Sequence, residues 1–244
     1  MTDFAEILAG VRAKIAAACA KAGRDPSEVE IIAVTKTHGA EVVREAWENG
    51  LSIVGENKVQ EAAWKRPASV SGPQWHLIGH LQGNKVRRAL ELFSALHSVD
   101  TVKLLEEIAK TSEETGRRPD LLLEVNVAGE ASKFGFRPGD VADALRAASS
   151  LGLSVTGLMT VPPFRPEPEA VRPAFRALRE LRDRLQDETG CGLPELSMGM
   201  SHDFEVAIEE GATYVRVGTA IFGSRTGRAS AWRPAPSLDS DSYE

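Results

Sequence analysis

The stretch "ELSMGMSHDFEVAIEEGATYVRVGT", Glu195–Thr219, reads as strand, helix, strand. Apolar runs at 195–198 (ELSM) and 213–217 (TYVRV) flank a helical pattern at 203–210. Two strands joined through a helix pair in parallel, because only antiparallel neighbours close with a short hairpin. Working outward, the same alternation recurs along the chain. Strand-like runs fall at 30–35 (EIIAVT), 52–55 (SIVG), 75–79 (WHLIG), 95–99 (ALHSV), 121–127 (LLLEVNV) and 153–158 (LSVTGL). Helical patterns lie near 40–49, 57–69, 84–92, 101–115, 139–150 and 169–189. Eight strands separated by helices predict an α/β chain folded as a TIM-type (β/α)8 barrel. No Gly-x-Gly-x-x-Gly follows the first strand, which argues against an open doubly wound sheet. Phe4, Ile7, Leu8, Val11, Ile15 and Cys19 recur at helical spacing over 4–22, so an extra N-terminal helix precedes the barrel.

The 244 residues, 42% hydrophobic and 26% charged, suit one globular domain, expected over 1–225. The Ser-, Pro- and Asp-rich segment 226–244 shows no periodicity and is expected to be disordered. Residues 161–173 (VPPFRPEPEAVRP) hold five prolines and predict a long loop over the barrel mouth. The net charge of −6 argues against nucleic acid and membrane surfaces, and Lys85-Val86-Arg87-Arg88 reads as a solvated helix face. Two cysteines, Cys19 and Cys191, make neither a disulfide framework nor a zinc spacing. With acids at Asp3 and Glu6 and no long apolar run, a cytoplasmic location is expected.

A TIM barrel places its site at the C-terminal ends of the strands. There the chain delivers Lys36, then Gly55-Glu56-Asn57, His80, Ser98 with Asp100, and Asn126. Met159 with Thr160, the 198–201 segment and the 216–219 segment complete the ring. Ser201 stands before a helix, while Gly218 and Thr219 turn a strand into a short one; free N–H groups at such a corner bind phosphate. Singly, a helix cap and a tight turn explain them as well. In a closed barrel the last strand pairs with the first, so Lys36 neighbours this corner. An amine desolvated among apolar groups can attack a carbonyl and form a Schiff base. The combination suits a ligand with an aldehyde and a phosphate: pyridoxal 5′-phosphate, or a sugar phosphate in an aldolase. Arg216 shares a strand face with Gly218 and points into the mouth. It either donates to a pyridine nitrogen, keeping that ring unprotonated, or pairs with Glu56 or Glu124.

The motifs "AVTKTHG", "GENKVQEA", "WHLIGHLQGNKVR", "SVD", "EVNVAGEASKFGF", "GLMT" and "LSMGMSHDFEVAIEEGATYVRVGTAIFG" resemble, in order, those of the pyridoxal phosphate homeostasis protein family. The resemblance runs from the first helix to Gly223. It implies a single barrel similar to the N-terminal domain of alanine racemase, with pyridoxal 5′-phosphate held as an internal aldimine on Lys36. Ser201, Gly218 and Thr219 would hold the phosphate with the backbone near Gly199 and Met200, and Arg216 would face the pyridine nitrogen. Asn57 would line the cofactor, and His80 and Met159 would be pocket walls. Two departures stand out: His202 replaces an acidic residue of the family, and "THG" after Lys36 differs from its "TKP" or "TVP". The resemblance implies a non-catalytic carrier or buffer of the cofactor, without robust turnover, serving apo-enzymes that need it. A monomer is expected. An amino acid racemase and a Schiff-base aldolase are the alternatives, with a scaffold using the 161–173 loop as the remaining class. The racemase case needs a second proton donor opposite the lysine. The chain offers only Tyr214, within a strand, and Tyr243 in the tail.

Overall fold

The computed structural model describes residues 3–69, 71–130 and 134–223. Eight parallel strands close into a barrel in sequence order. They are β1 (Glu30–Val34), β2 (Ile53–Glu56), β3 (Gln74–Leu77), β4 (Ala95–Val99), β5 (Asp120–Glu124), β6 (Val155–Met159), β7 (Glu195–Met200) and β8 (Tyr214–Val217). The helices are α1 (Phe4–Ala22), α2 (Glu41–Glu48), α3 (Val59–Lys65), α4 (Val86–Leu92), α5 (Val102–Thr115), α6 (Val141–Ser150), α7 (Arg172–Thr189), α8 (Phe204–Glu209) and α9 (Thr219–Phe222). β4 lies where the sequence reading put it, and the other seven strands differ from it by one to three residues at one or both ends. The α1 helix stands outside the repeat and packs against α8 and α9.

The expected loop over 161–173 is shorter in the structure. A 3-10 turn occupies Pro168–Val171 and α7 begins at Arg172, with Pro173 in its first turn. The first turn of a helix has no partner for its N–H groups, so proline is tolerated there and its fixed φ favours the helix. The segment expected to be disordered, 226–244, lies outside the described residues.

Most strand residues are buried on both sides, between a layer of Val, Leu and Ile against the helices and the barrel interior. The interior departs from the apolar filling usual in such barrels. His76, His97, Ser197 and Arg216 are all buried and face one another across it. The β1–β8 seam sets the site: Ile32 pairs with Arg216 and Ala33 with Val217. The end of β1, leading to Lys36, therefore lies beside the turn at Gly218.

Candidate functional site

At the β7–β8 corner, the backbone N–H groups of Gly218 and Ala220 both donate to Ser201 Oγ, at 3.0 and 3.2 Å. These donors belong to the turn that opens α9, so none is used by a preceding helical turn. A side chain at Gly218 would meet Val34 Cβ and the Val34 carbonyl at 3.3 Å, which explains the glycine where β1 and β8 press together. Gly199 has φ +88°, and a Cβ there would lie 2.5 Å from Ala207. The left-handed turn lets β7 run directly into the α8 connection, where the Met200 N–H donates to Asp203 Oδ1 at 2.6 Å. Thr219 is exposed at the start of α9. Converging N–H donors, a hydroxyl and close-packed backbone suit a phosphate group.

Lys36 follows β1 in a turn whose flanking residues are tightly held. Thr35 donates through Oγ1 to Glu56 Oε1 at 2.6 Å, and its carbonyl accepts from Lys65 Nζ at 2.7 Å. On the other side, the Thr37 N–H donates to Glu61 Oε1 at 2.5 Å, with Thr37 at φ +68°. Lys65 also donates to Glu56 and Glu61, each at 2.7 Å, and all three members are buried. Two carboxylates around one ammonium balance in charge when one holds a proton. Accordingly, burial pushes the Glu56 carboxyl up to about 7, the neighbouring Glu61 adding to the rise against the pull of Lys65.

Arg216 is buried. Its Nη1 donates to the Ser197 carbonyl and Oγ, each at 2.8 Å, and Nη2 donates to the Thr160 carbonyl at 2.9 Å. Its hydrogen bonds therefore go to β7 and the end of β6 rather than to Glu56 or Glu124. Behind it, Ser197 Oγ lies 2.9 Å from His97 Nδ1, and His97 Nε2 lies 3.0 Å from His76 Nδ1. Burial keeps both imidazoles neutral: His76 is pushed down to about 4, and His97 well below the ordinary range, with His76 and Arg216 adding repulsion.

Asn57 and His80 come together in a separate stretch of the mouth. They line a cavity of about 350 Å³ with Glu124, Asn126, Phe134 and Thr160. His80 Nδ1 sits 3.0 Å from Asp100 Oδ2, and its ring stacks on Phe134 at 3.9 Å. Burial raises Glu124 to about 7, helped by Asp100 and opposed by Arg216. Asn126 Oδ1 is buried without a hydrogen-bond partner. Met159 is buried in the wall of β6, and the residue after it, Thr160, lines the cavity.

Sequence reading missed Thr35, Glu61, Lys65, His76, His97 and Ser197. Lys65 carried a signal, since it continues the buried stripe of Val59 and Ala62 at three-residue spacing. His76 alternates with Trp75 and Leu77, which marks it as facing the opposite side of the wall.

The family model described as "Alanine racemase, N-terminal domain" matches residues 8–226. A pyridoxal phosphate homeostasis protein of Aquifex aeolicus is 46% identical over 222 residues, covering 90% of this chain and 97% of the relative. One from Escherichia coli is 37% identical over 239 residues, covering 92% and 98%. The structure of PipY from Synechococcus elongatus, solved with PLP bound, matches with a TM-score of 0.79 at 37% identity, covering 91% of this chain and all of that one. Motif order, barrel and coverage agree, and the chain belongs to the pyridoxal phosphate homeostasis protein family, built on the alanine racemase N-terminal domain.

Proposed function

We propose that this chain binds pyridoxal 5′-phosphate covalently through Lys36 and acts in homeostasis of that cofactor as a cytoplasmic carrier, without robust turnover. The observation that carries the reading is the β1–β8 seam, which sets the turn of Lys36 beside the N–H donors of Gly218 and Ala220. The PLP-bound PipY relative adds support for the ligand. Ser201, Gly218 and Thr219, with the backbone of Gly199 and Met200, would hold the phosphate. Asn57, His80 and Met159 would wall the ring. When bound, the cofactor supplies an aldehyde and an electron-poor ring. The Lys36 amine would add to that carbonyl with loss of water.

Arg216 would orient the pyridine nitrogen by donating to it. A guanidinium does not give up its proton, so the ring would stay unprotonated and remain a weak electron sink. That suits storage better than most chemistry at an amino acid's α-carbon, racemisation being the usual exception. Tyr214 supports the same conclusion. It pairs with Glu30 at the start of β1 and packs edge-on against His76, at the end of the barrel away from Lys36. From Glu30 the strand runs four residues on to Val34, roughly 13 Å at 3.3 Å per residue, before the turn that carries Lys36. A tyrosine so placed cannot deliver a proton opposite the amine. Among the described residues, no helix is long and apolar enough to cross a membrane. The chain would act as a monomer, passing the cofactor to apo-enzymes.

The test is a visible absorption spectrum of the protein beside Lys36→Ala, followed by borohydride reduction and intact mass. The expected result is a yellow band, lost in the variant, and an adduct on Lys36. Assays with single amino acid enantiomers then separate carrier from racemase. A colourless protein that cannot be reconstituted with pyridoxal phosphate would overturn the carrier reading.

A further inference from the structure

We infer that the buried Glu56–Glu61–Lys65 cluster is a positioning device that grips the backbone on both sides of Lys36 and thereby sets the direction and reactivity of its amine. Three of its hydrogen bonds end on the two flanking residues: Lys65 to the Thr35 carbonyl, Thr35 Oγ1 to Glu56, and the Thr37 N–H to Glu61. Lys65 spends all three of its donors within this set, on Thr35, Glu56 and Glu61. The cluster is almost sealed from solvent, the side chains of Lys65 and Glu56 being 0% exposed and that of Glu61 2% exposed.

A merely structural role explains this arrangement poorly. Well-packed apolar residues fill such a space at least as stably as a buried ion pair. The cluster also maintains a conformation the chain disfavours: Thr37 is β-branched and sits at φ +68°, and among the described residues it is the one non-glycine with positive φ. Glu61 holds that N–H in place. The turn at Thr37 reverses the chain immediately after Lys36, so a change there rotates the Cα–Cβ bond from which the amine hangs. Thr35 Oγ1 is held by the clamp, and the Thr35 carbonyl also accepts from the His38 N–H at 3.1 Å, which closes the turn that carries Lys36 and Thr37.

The value of the device to a cofactor carrier rests on the reading above, but its test does not. Reductive methylation with formaldehyde and cyanoborohydride, in protein freed of pyridoxal phosphate, reports the rate at Lys36 and its pH profile by peptide mass. The comparison is wild type, Glu61→Ala, and Glu61→Gln, which keeps a carbonyl acceptor for the Thr37 N–H. Glu61→Ala is expected to change the Lys36 rate about tenfold relative to exposed lysines, with a displaced pH midpoint, and Glu61→Gln to restore both. The same three proteins are then mixed with pyridoxal phosphate and the capture rate is read from the visible band. An unchanged Lys36 rate and pH profile in folded Glu61→Ala overturns the inference, whatever the cofactor does. A displaced Lys36 profile with no pyridoxal phosphate capture even in wild type supports the clamp and sinks the carrier reading instead. Should Glu61→Ala fail to fold, Thr35→Val decides, since it removes only the hydroxyl contact to Glu56. A displaced Lys36 profile in that variant supports the clamp, and a wild-type profile overturns it.

Discussion

The two glycines of the β7–β8 corner are there for different reasons, and substitutions should tell them apart. Gly199 combines φ +88° with a space in which a Cβ would sit 2.5 Å from Ala207 and 3.0 Å from Phe204 Cα. Alanine there meets backbone strain and overpacking together, so Gly199→Ala is expected to lose about 2–4 kcal/mol in urea unfolding. Gly218 has φ −119°, which any residue adopts, and its would-be neighbours stand at 3.3 Å. Gly218→Ala should cost less than about 1 kcal/mol in the same experiment, because a shift of a few tenths of an ångström relieves it. That shift moves the N–H that now donates to Ser201. Affinity for pyridoxal phosphate, measured by titration, should therefore fall by about tenfold while the fold persists. Equal losses of stability in the two variants would show that the corner is packed for its own sake. At this scale the sequence was partly legible. Ser201, Gly218 and Arg216 could be singled out because polar or small residues interrupt apolar strands. Thr35 and Glu61 could not, because a buried threonine or glutamate looks the same in a string as an exposed one.

Among the elements, α7 and α8 are joined by a charge cluster at the rear of the site. Arg172, Arg176 and Arg179 share one face of α7 and converge on Glu210 at 3.1, 3.0 and 2.8 Å. Arg172 also pairs with Glu209, which Lys21 of α1 reaches from the other side at 2.8 Å. Burial raises the Glu210 carboxyl, but the bonds from Arg176 and Arg172 outweigh it and leave the group below the ordinary range. Glu210→Ala removes the carboxylate that Arg176 and Arg179 share with Arg172, which keeps Glu209 and Glu169, so a loss of about 1–2 kcal/mol is expected by thermal or urea unfolding. Part of the loss should return at high salt, which screens the half-exposed Arg176 and Arg179. A loss that ignores ionic strength would mean that packing, not charge, ties α7 to α8. The barrel itself was readable from alternation, since eight apolar runs with helices between them admit few architectures. The ends of strands were less so: β5 stops at Glu124, yet the apolar residues continue to Val127. Proline misled the reading of 161–173, because composition alone does not separate a loop from the first turn of a helix.

Across the whole molecule, the same burial that builds the site sets two families of titration against each other. Glu56 and Glu124 are raised from 4.5 to about 7. Between those values the folded protein holds protons that the unfolded chain has lost, so these groups stabilise the fold at low pH, and that contribution fades as pH rises through about 7. The imidazoles behave oppositely. His76 falls from 6.5 to about 4, and His97 falls well below 6.5. Their stabilisation is complete above 6.5 and is lost as acid charges the unfolded chain first. Both families act between pH 4.5 and 6.5, so their slopes largely offset and wild-type stability should be nearly flat there. Below about 4.5 the carboxyls no longer offset the imidazoles and stability should begin to fall; below about 4 His76 charges in the folded protein as well, and only the His97 cost continues to grow. Removing one member exposes the balance. At about 1.4 kcal/mol for each pKa unit, Glu56→Gln should lose about 3 kcal/mol relative to wild type on going from pH 8 to pH 4.5. His76→Phe should move the other way, gaining relative to wild type as pH falls over the same window. Urea midpoints at half-unit pH steps for the three proteins would check both signs. Glu56→Gln running parallel to wild type would mean that Lys65 keeps Glu56 ionised at all these pH values. The buried cluster beside Lys36 would then carry a net negative charge, and an electrostatic pull would join the backbone grip in setting the behaviour of that amine.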